Sequence, residues 1–466
     1  MASSPLAPEW LRFPDDANAL DDAIWPSSAV RDGDGAVWIG GVPVAELAER
    51  FGTPLYVMDR AHLRDRADEV ASAFREAAER HGTSVHVYYA GKAFLSTAVA
   101  GWMNAAGLRI DVCSGGEFAV ARAAGVDPAD CGFHGNNKSD REIAEAVESG
   151  IGAIVLDSAE EVGRVADVAE RLGRVQPVRL RVNSGVHAHT HEFLATAHED
   201  QKFGVTLAEA PAIVAEVRSR PGLSFLGLHC HIGSQIFGAE GFSESASRLL
   251  DVHERLLADG PVPELNLGGG FGVAYTSSDS PTPIADLAEA IIGDVAEQCA
   301  RRGIPVPVLA FEPGRSVIAQ STVTLYETGT VKDVEVDAPG GPARRRYVSV
   351  DGGMSDNARP ALYGADYAVR VLSRASAEDA VLVRIAGKHC ESGDIVVDAD
   401  YLPGDVRRGD LLGVPVTGAY CWELSSNYNF LPRPAVVAVE DGRARVIVRG
   451  ETADDLLARD AGWDQE

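Results

Sequence analysis

Between about residue 55 and residue 315, short apolar or β-branched runs alternate with stretches whose apolar residues recur every three or four positions. The runs fall at 55–57, 85–89, 109–112, 153–156, 178–182, 225–228, 264–267 and 308–311. Between them, Leu63, Ala67, Val70, Phe74 and Ala77 share one face of a helix, and so do Ile284, Leu287, Ile291 and Val295. Three Ser-x-x-Glu sequences, Ser114 to Glu117, Ser139 to Glu142 and Ser158 to Glu161, read as capping boxes at helix starts. Strand, cap and helix repeated in this way predict an α/β fold with a parallel (β/α)8 barrel; a doubly wound open sheet is the competing arrangement.

After about residue 320 the period falls to two. The segments 323–326, 347–350 and 381–385 read as strands. Segments 436–440 and 443–448 flank Asp441-Gly442 and read as a tight hairpin. This predicts a second, mostly β domain of sandwich or barrel type. The expected division is a barrel over 55–318, with 1–54 joining 319–466 in the β domain.

At 466 residues the chain is long enough for two large domains, at about 150 residues per domain as a guide. Its 45% hydrophobic and 24% charged residues are those of a globular protein. The formal charge of −27 disfavours nucleic acid and anionic membranes, although one basic pocket for a small anion is compatible with it. Six cysteines without a C-x-x-C pair form neither a disulfide scaffold nor a structural zinc site. The N-terminus has no signal-peptide pattern, and no apolar stretch approaches the roughly 20 residues that span a bilayer. A reduced, cytoplasmic protein is expected.

Barrels carry their chemistry where strands end. Those positions hold Lys92, Asp111, His134, Arg181, His229, His231, Gly268-Gly269-Gly270, Glu312 and Arg315. The glycine run reads either as a tight loop or as backbone amides brought close to a phosphate. It is not a dinucleotide fingerprint, because the frame from Gly268 meets Val273, and the chain contains no P-loop sequence. His187, His189, His191 and His198 suggest a polar loop over the barrel mouth or a metal site; no H-E-x-x-H exists, and no metal is expected. Cys390 alone would most often be a buried, inert thiol.

Seven ordered segments together resemble the fold-type III decarboxylases that depend on pyridoxal 5'-phosphate (PLP). They are Tyr89-Ala-Gly-Lys92-Ala93, His134-Gly-Asn-Asn-Lys138-Ser139, His229-Cys-His231-Ile-Gly-Ser234-Gln235, Glu312-Pro313-Gly314-Arg315, Asp351-Gly-Gly-Met354, Cys390-Glu391-Ser-Gly-Asp394 and Gly418-Ala-Tyr420. The likeness runs from roughly residue 35 to 455, and is strongest to the branch acting on diaminopimelate. It implies that Lys92 carries the cofactor covalently and that Glu312 faces its pyridine nitrogen. An acid there keeps that nitrogen protonated and able to accept an electron pair, whereas related racemases place an arginine.

The resemblance further implies that His231 stacks on the cofactor ring and that Asp111 orients His231 or Lys92. Ser234, Gly268, Gly269, Gly270, Pro313, Gly314, Arg315 and Tyr420 fall on its phosphate side or nearby. Cys390 matches the donor that returns a proton to the α-carbon after CO2 leaves; a thiol's ordinary pKa of about 8.5 suits that role. Arg315, Arg359, Tyr363, Glu391 and Tyr420 match substrate-binding positions. The implied reaction converts meso-2,6-diaminoheptanedioate, at its D-configured centre, to L-lysine and CO2 in lysine biosynthesis. Another diamino acid is the alternative substrate, and a silent regulatory homologue is disfavoured by retention of Lys92, Glu312 and Cys390. The resemblance also implies a homodimer, in which the Cys390 region completes the partner's site. The first 35 or so residues match no motif.

Overall fold

The computed structural model describes residues 4–186, 202–338 and 341–462, so His187, His189, His191 and His198 lie outside the described residues. The chain divides into two compact units: Met1–Asp65 with Val273–Ser280 and Ile318–Glu466, and Arg66–Gly272 with Pro281–Val317.

The second unit is a closed barrel of parallel strands: β1 (Val85–Ala90), β2 (Arg109–Val112), β3 (Cys131–Phe133), β4 (Ala153–Leu156), β5 (Gln176–Asn183), β6 (Leu223–His229), β7 (Glu264–Asn266) and β8 (Val308–Phe311). The ring closes through Leu309 opposite Val85 and through Ile154 opposite Val178. The helical stripe read from the sequence is the buried one: Ala67, Val70, Phe74 and Ala77 are fully covered. Phe74 stacks on Phe311 of β8 at 4.3 Å between ring centres. Between the strands, Arg179 donates to Glu264 Oε2 (2.8 Å) and Tyr88 Oη (2.9 Å), a buried cation with its charge and hydrogen bonds matched.

Two runs change places relative to the sequence reading. Leu55–Asp59 is not a barrel strand; it pairs antiparallel with Thr322–Ala338 and parallel with Val436–Glu440 in the first unit. The barrel position it vacates is filled by Cys131–Phe133. That strand has three residues with a central glycine, too little for periodicity to register. Ser114, Ser139 and Ser158 each accept from the third helical amide. Only Ser139 and Glu142 close a reciprocal box. Glu117 and Glu161 reach one residue further back, to the amides of Cys113 (2.6 Å) and Asp157 (2.9 Å), and so fasten the ends of β2 and β4.

In the first unit a sheet runs in the order Ile395–Pro403, Ala380–Ala386, Gly341–Val350, Thr322–Ala338, Leu55–Asp59, Val436–Glu440, Arg443–Val448. The last two strands meet through Asp441 and Gly442 at φ 50° and 72°, the two positive angles that the tight hairpin demands. The N-terminal segment is built into this unit: Trp25 is buried, and Arg31 donates to the carbonyls of Asn18, Gly35, Val371 and Arg374. Among the described residues no helix is long and apolar enough to cross a membrane.

Candidate active site

The C-terminal ends of the barrel strands gather the chemistry. Lys92 sits on a single 3-10 turn directly after β1. Its charge acts on Asp111, His134 and His231. Glu312, just past β8, is the hub. Asn266 Nδ2 donates to Glu312 Oε1 (2.7 Å), and His229 Nε2 lies 3.2 Å from Oε2. His134 Nε2 stands 3.4 Å from Glu312 and 3.2 Å from Asp111 Oδ1.

Burial alone would neutralise Glu312, but His229, His134 and His231 outweigh it and hold the carboxyl well below its usual range. Asp111 moves the other way, raised by burial and then by the charge of Glu312. Burial lowers all three imidazoles, His134 to about 4 and His231 to about 3, the latter helped by Lys92. His231 is therefore a neutral ring. Its Nδ1 accepts from Gly269 N at 3.3 Å, so its partner is the glycine run rather than Asp111, whose nearest partner is His134.

The glycine run owes its composition to backbone crowding. A Cβ on Gly268, Gly269 or Gly270 would strike the carbonyls of Cys230, Glu312 and Gly233 respectively, and Gly268 and Gly270 also have positive φ. The run lets three strand-end loops close on one another. Beside it, Arg315 Nη2 donates to Ser234 Oγ (2.9 Å), placing a guanidinium and a hydroxyl at one point.

The other expected residues belong to the first unit. Arg359 opens the helix Arg359–Tyr363 and is buried. Its guanidinium donates to Tyr367 Oη and lies over the ring of Tyr275, 4.5 Å from its centre. No carboxylate among the described residues pairs with it. Tyr363 is 68% exposed. Cys390 and Glu391 are exposed on the turn between Ala380–Ala386 and Ile395–Pro403, and Tyr420 sits at positive φ in the loop after Leu411–Val414. Sequence reasoning passed over Asn266, which only its bond to Glu312 reveals, and gave His134 and His229 no role.

The barrel residues fit PLP. Glu312 offers an anion for a protonated ring nitrogen, and His231 offers an uncharged face. Lys92 offers an amine, and Arg315 with Ser234 offers donors for a phosphate. His229 Nδ1 and Asp111 Oδ2 are buried polar atoms without hydrogen-bond partners among the described residues, as expected at the wall of a ligand site. His134, His229 and Glu312 lie close enough to hold a metal ion, but Glu312 is already engaged by His229 and Asn266.

A closed parallel barrel with a strand-end lysine, a charged glutamate and a neutral histidine defines a PLP site of the fold-type III class. The family model for the pyridoxal-binding domain of pyridoxal-dependent decarboxylases matches residues 67–319. The chain is 49% identical over 443 residues to a diaminopimelate decarboxylase of Mycobacterium tuberculosis, covering 93% of this chain and 97% of that one. It is 42% identical over 430 residues to one from Bacillus subtilis, covering 91% and 95%. The crystal structure of diaminopimelate decarboxylase from M. jannaschii in complex with L-lysine superposes with a TM-score of 0.86 at 31% identity, covering 94% and 98%. The chain belongs to the diaminopimelate decarboxylase family of pyridoxal-dependent decarboxylases, and its cofactor is PLP.

Proposed function

We propose that this protein decarboxylates meso-2,6-diaminoheptanedioate to L-lysine and CO2, the closing step of lysine biosynthesis. The observation that carries the reaction type is the charged, buried Glu312, hydrogen-bonded by Asn266 and flanked by His229. When bound, PLP supplies an electron sink for the pair left by the departing carboxylate, and an anion at its ring nitrogen deepens that sink. Lys92 would carry the cofactor, His231 would lie against its ring, and the glycine run, Ser234 and Arg315 would hold its phosphate side.

The substrate's far end is a second amino-acid head. Arg359, buried and without an acid partner among the described residues, suits its carboxylate, Glu391 suits its ammonium, and Tyr363 is the further substrate-side residue. After CO2 leaves, the Cys390 S–H bond breaks as a C–H bond forms at the α-carbon, and the thiolate recovers its proton from solvent. The protein acts as a cytoplasmic homodimer in which the Cys390 segment serves the partner's site. Exposed Leu362 (60%), Tyr363 (68%) and Phe430 (64%), all in the unit that carries Cys390, support an apolar contact surface for a second copy.

Product analysis with meso-diaminopimelate, beside Lys92→Ala and with L-ornithine as a competing substrate, tests the reading. Lysine and CO2 from the wild type alone are expected, with visible absorbance lost in Lys92→Ala. A coloured enzyme that turns over ornithine but not diaminopimelate would overturn the substrate. Light scattering checks the dimer, which Leu362→Asp should weaken.

A further inference from the structure

Cys390 lies on a turn held from two sides. From within, Asp394 accepts from the amides of His389 (2.8 Å) and Met354 (2.6 Å), and the turn closes through Gly387 N to Asp394 O (3.0 Å). A Cβ on Gly387 would collide with the Asp394 carboxylate, so this half of the clamp is packed on backbone.

From outside, one atom reaches the main chain of Cys390 itself. Asn429 Oδ1 accepts from Cys390 N (3.0 Å) and lies 3.2 Å from His389 Nδ1. Because Cys390 N–H is a donor, the Asn429 atom facing it is the oxygen, and His389 must then carry its proton on Nδ1. His389 Nε2 accordingly accepts from Ser355 Oγ (2.8 Å). The ring of Tyr428 stacks on His389 at 5.3 Å.

Asn429 reaches this position through unusual backbone: Asn429 and Phe430 both have positive φ, 52° and 61°. Asparagine tolerates the left-handed region and phenylalanine does so at a cost. The bond Phe430 N to Asn427 O (2.8 Å) and the bonds from Asn427 Nδ2 to Leu431 O and Glu451 Oε2 keep the segment there.

We propose that Asn429 is a positioning residue for the proton-return step, fixing the main chain of Cys390 through its side-chain oxygen while His389 braces the same atom. The proposal rests on the reading of Cys390 as the proton donor. A donor held at one angle delivers its proton to one face of the α-carbon, and a donor on a slack turn delivers to both and more slowly. The carbon that loses CO2 becomes a CH2 group, so turnover in D2O records the face used.

The test runs the holoenzyme on meso-diaminopimelate in D2O and reads the configuration of the single deuterium in lysine, with kcat and KM. Wild type and Asn429→Asp, which keeps an acceptor oxygen, should give one configuration, with kcat agreeing within about threefold. Asn429→Gly keeps the left-handed backbone and loses the acceptor. It should scramble the deuterium and lower kcat about ten- to a hundredfold, with KM little changed. Asn429→Ala carries the same expectation should Asn429→Gly not fold. One configuration and unchanged kcat in the folded Gly or Ala variant would overturn the proposal. Cys390→Ala separates the two ideas. If it keeps one configuration, the donor reading fails and takes the proposal with it. If it scrambles while Asn429→Gly does not, only the positioning role fails.

Discussion

Asp111 and Glu312 approach the same nitrogen, His134 Nε2, at 3.2 and 3.4 Å, and their pKa values move in opposite directions. Burial, then the charge on Glu312, raises Asp111, while Glu312, bonded by His229 and Asn266, is held below its usual range. Asp111→Asn keeps the size of the side chain beside His134 and leaves Glu312 and its partners Asn266 and His229 in place, so kcat/KM should stay within about tenfold. Glu312→Gln removes the carboxylate that His229 and Asn266 hold and should cost more than about a hundredfold in kcat. Steady-state kinetics on both variants checks the contrast.

In the first unit, Asp356 is buried, with Tyr326 Oη and Gly353 N donating to its oxygens, and its pKa is pushed up to about 7, chiefly by burial. An unfolded aspartate titrates near 3.9, so between the two values the folded chain binds the extra proton and stability falls as pH rises. The loss should begin near pH 4 and level off above pH 7. Asp356→Asn should flatten that slope in urea melts across the range, because an amide can serve Gly353 N and Tyr326 Oη without titrating.

Lys138, on the loop after β3, is buried and donates to Gly135 O and Val155 O, both at 2.7 Å, and to Glu161 of the helix Ala159–Arg171 at 3.0 Å. Glu161→Gln strands a buried ammonium and should cost about 3–5 kcal/mol of stability. The double change Lys138→Met with Glu161→Gln should recover part of it. Thermal melts of the single and double variants decide.

Arg359 is buried between Tyr275 and Tyr367, without an acid partner among the described residues. Arg359→Met should raise KM for diaminopimelate about thirtyfold or more, with kcat changed far less. Arg359→Lys should rescue little, since an ammonium has neither the flat face nor the forked donors. Equal KM values would remove Arg359 from substrate recognition.

The barrel was legible because its helices carry strong apolar stripes and its strands run β-branched. Membership of the ring was not: Leu55–Asp59 opens on an apolar run like those of the barrel strands, and only its partners, far along the chain, place it in the other unit. Lys92, Glu312 and His231 stood out as chemistry at strand ends. Asn266 did not, because an asparagine after a short strand looks like turn chemistry until its amide is seen on Glu312. The glycine run was visible, but its cause, three backbones in contact, is a property of distant loops. Asn429 was invisible for the same reason, since its partners Cys390 and His389 are about forty positions away.

Leu55–Asp59 also has a consequence for synthesis on the ribosome. Tyr56 meets Asp356 300 positions later, and Arg60 meets Glu440 380 positions later. At about 5–20 residues per second, this strand emerges roughly 20 seconds to over a minute before its last partner exists. The barrel segments are made in the interval and can close first. Through that wait both edges of a Leu-Tyr-Val-Met strand lie open to a neighbouring nascent chain, so crowding of polysomes or slow translation of the final 150 or so residues is where this protein is most exposed to misassembly.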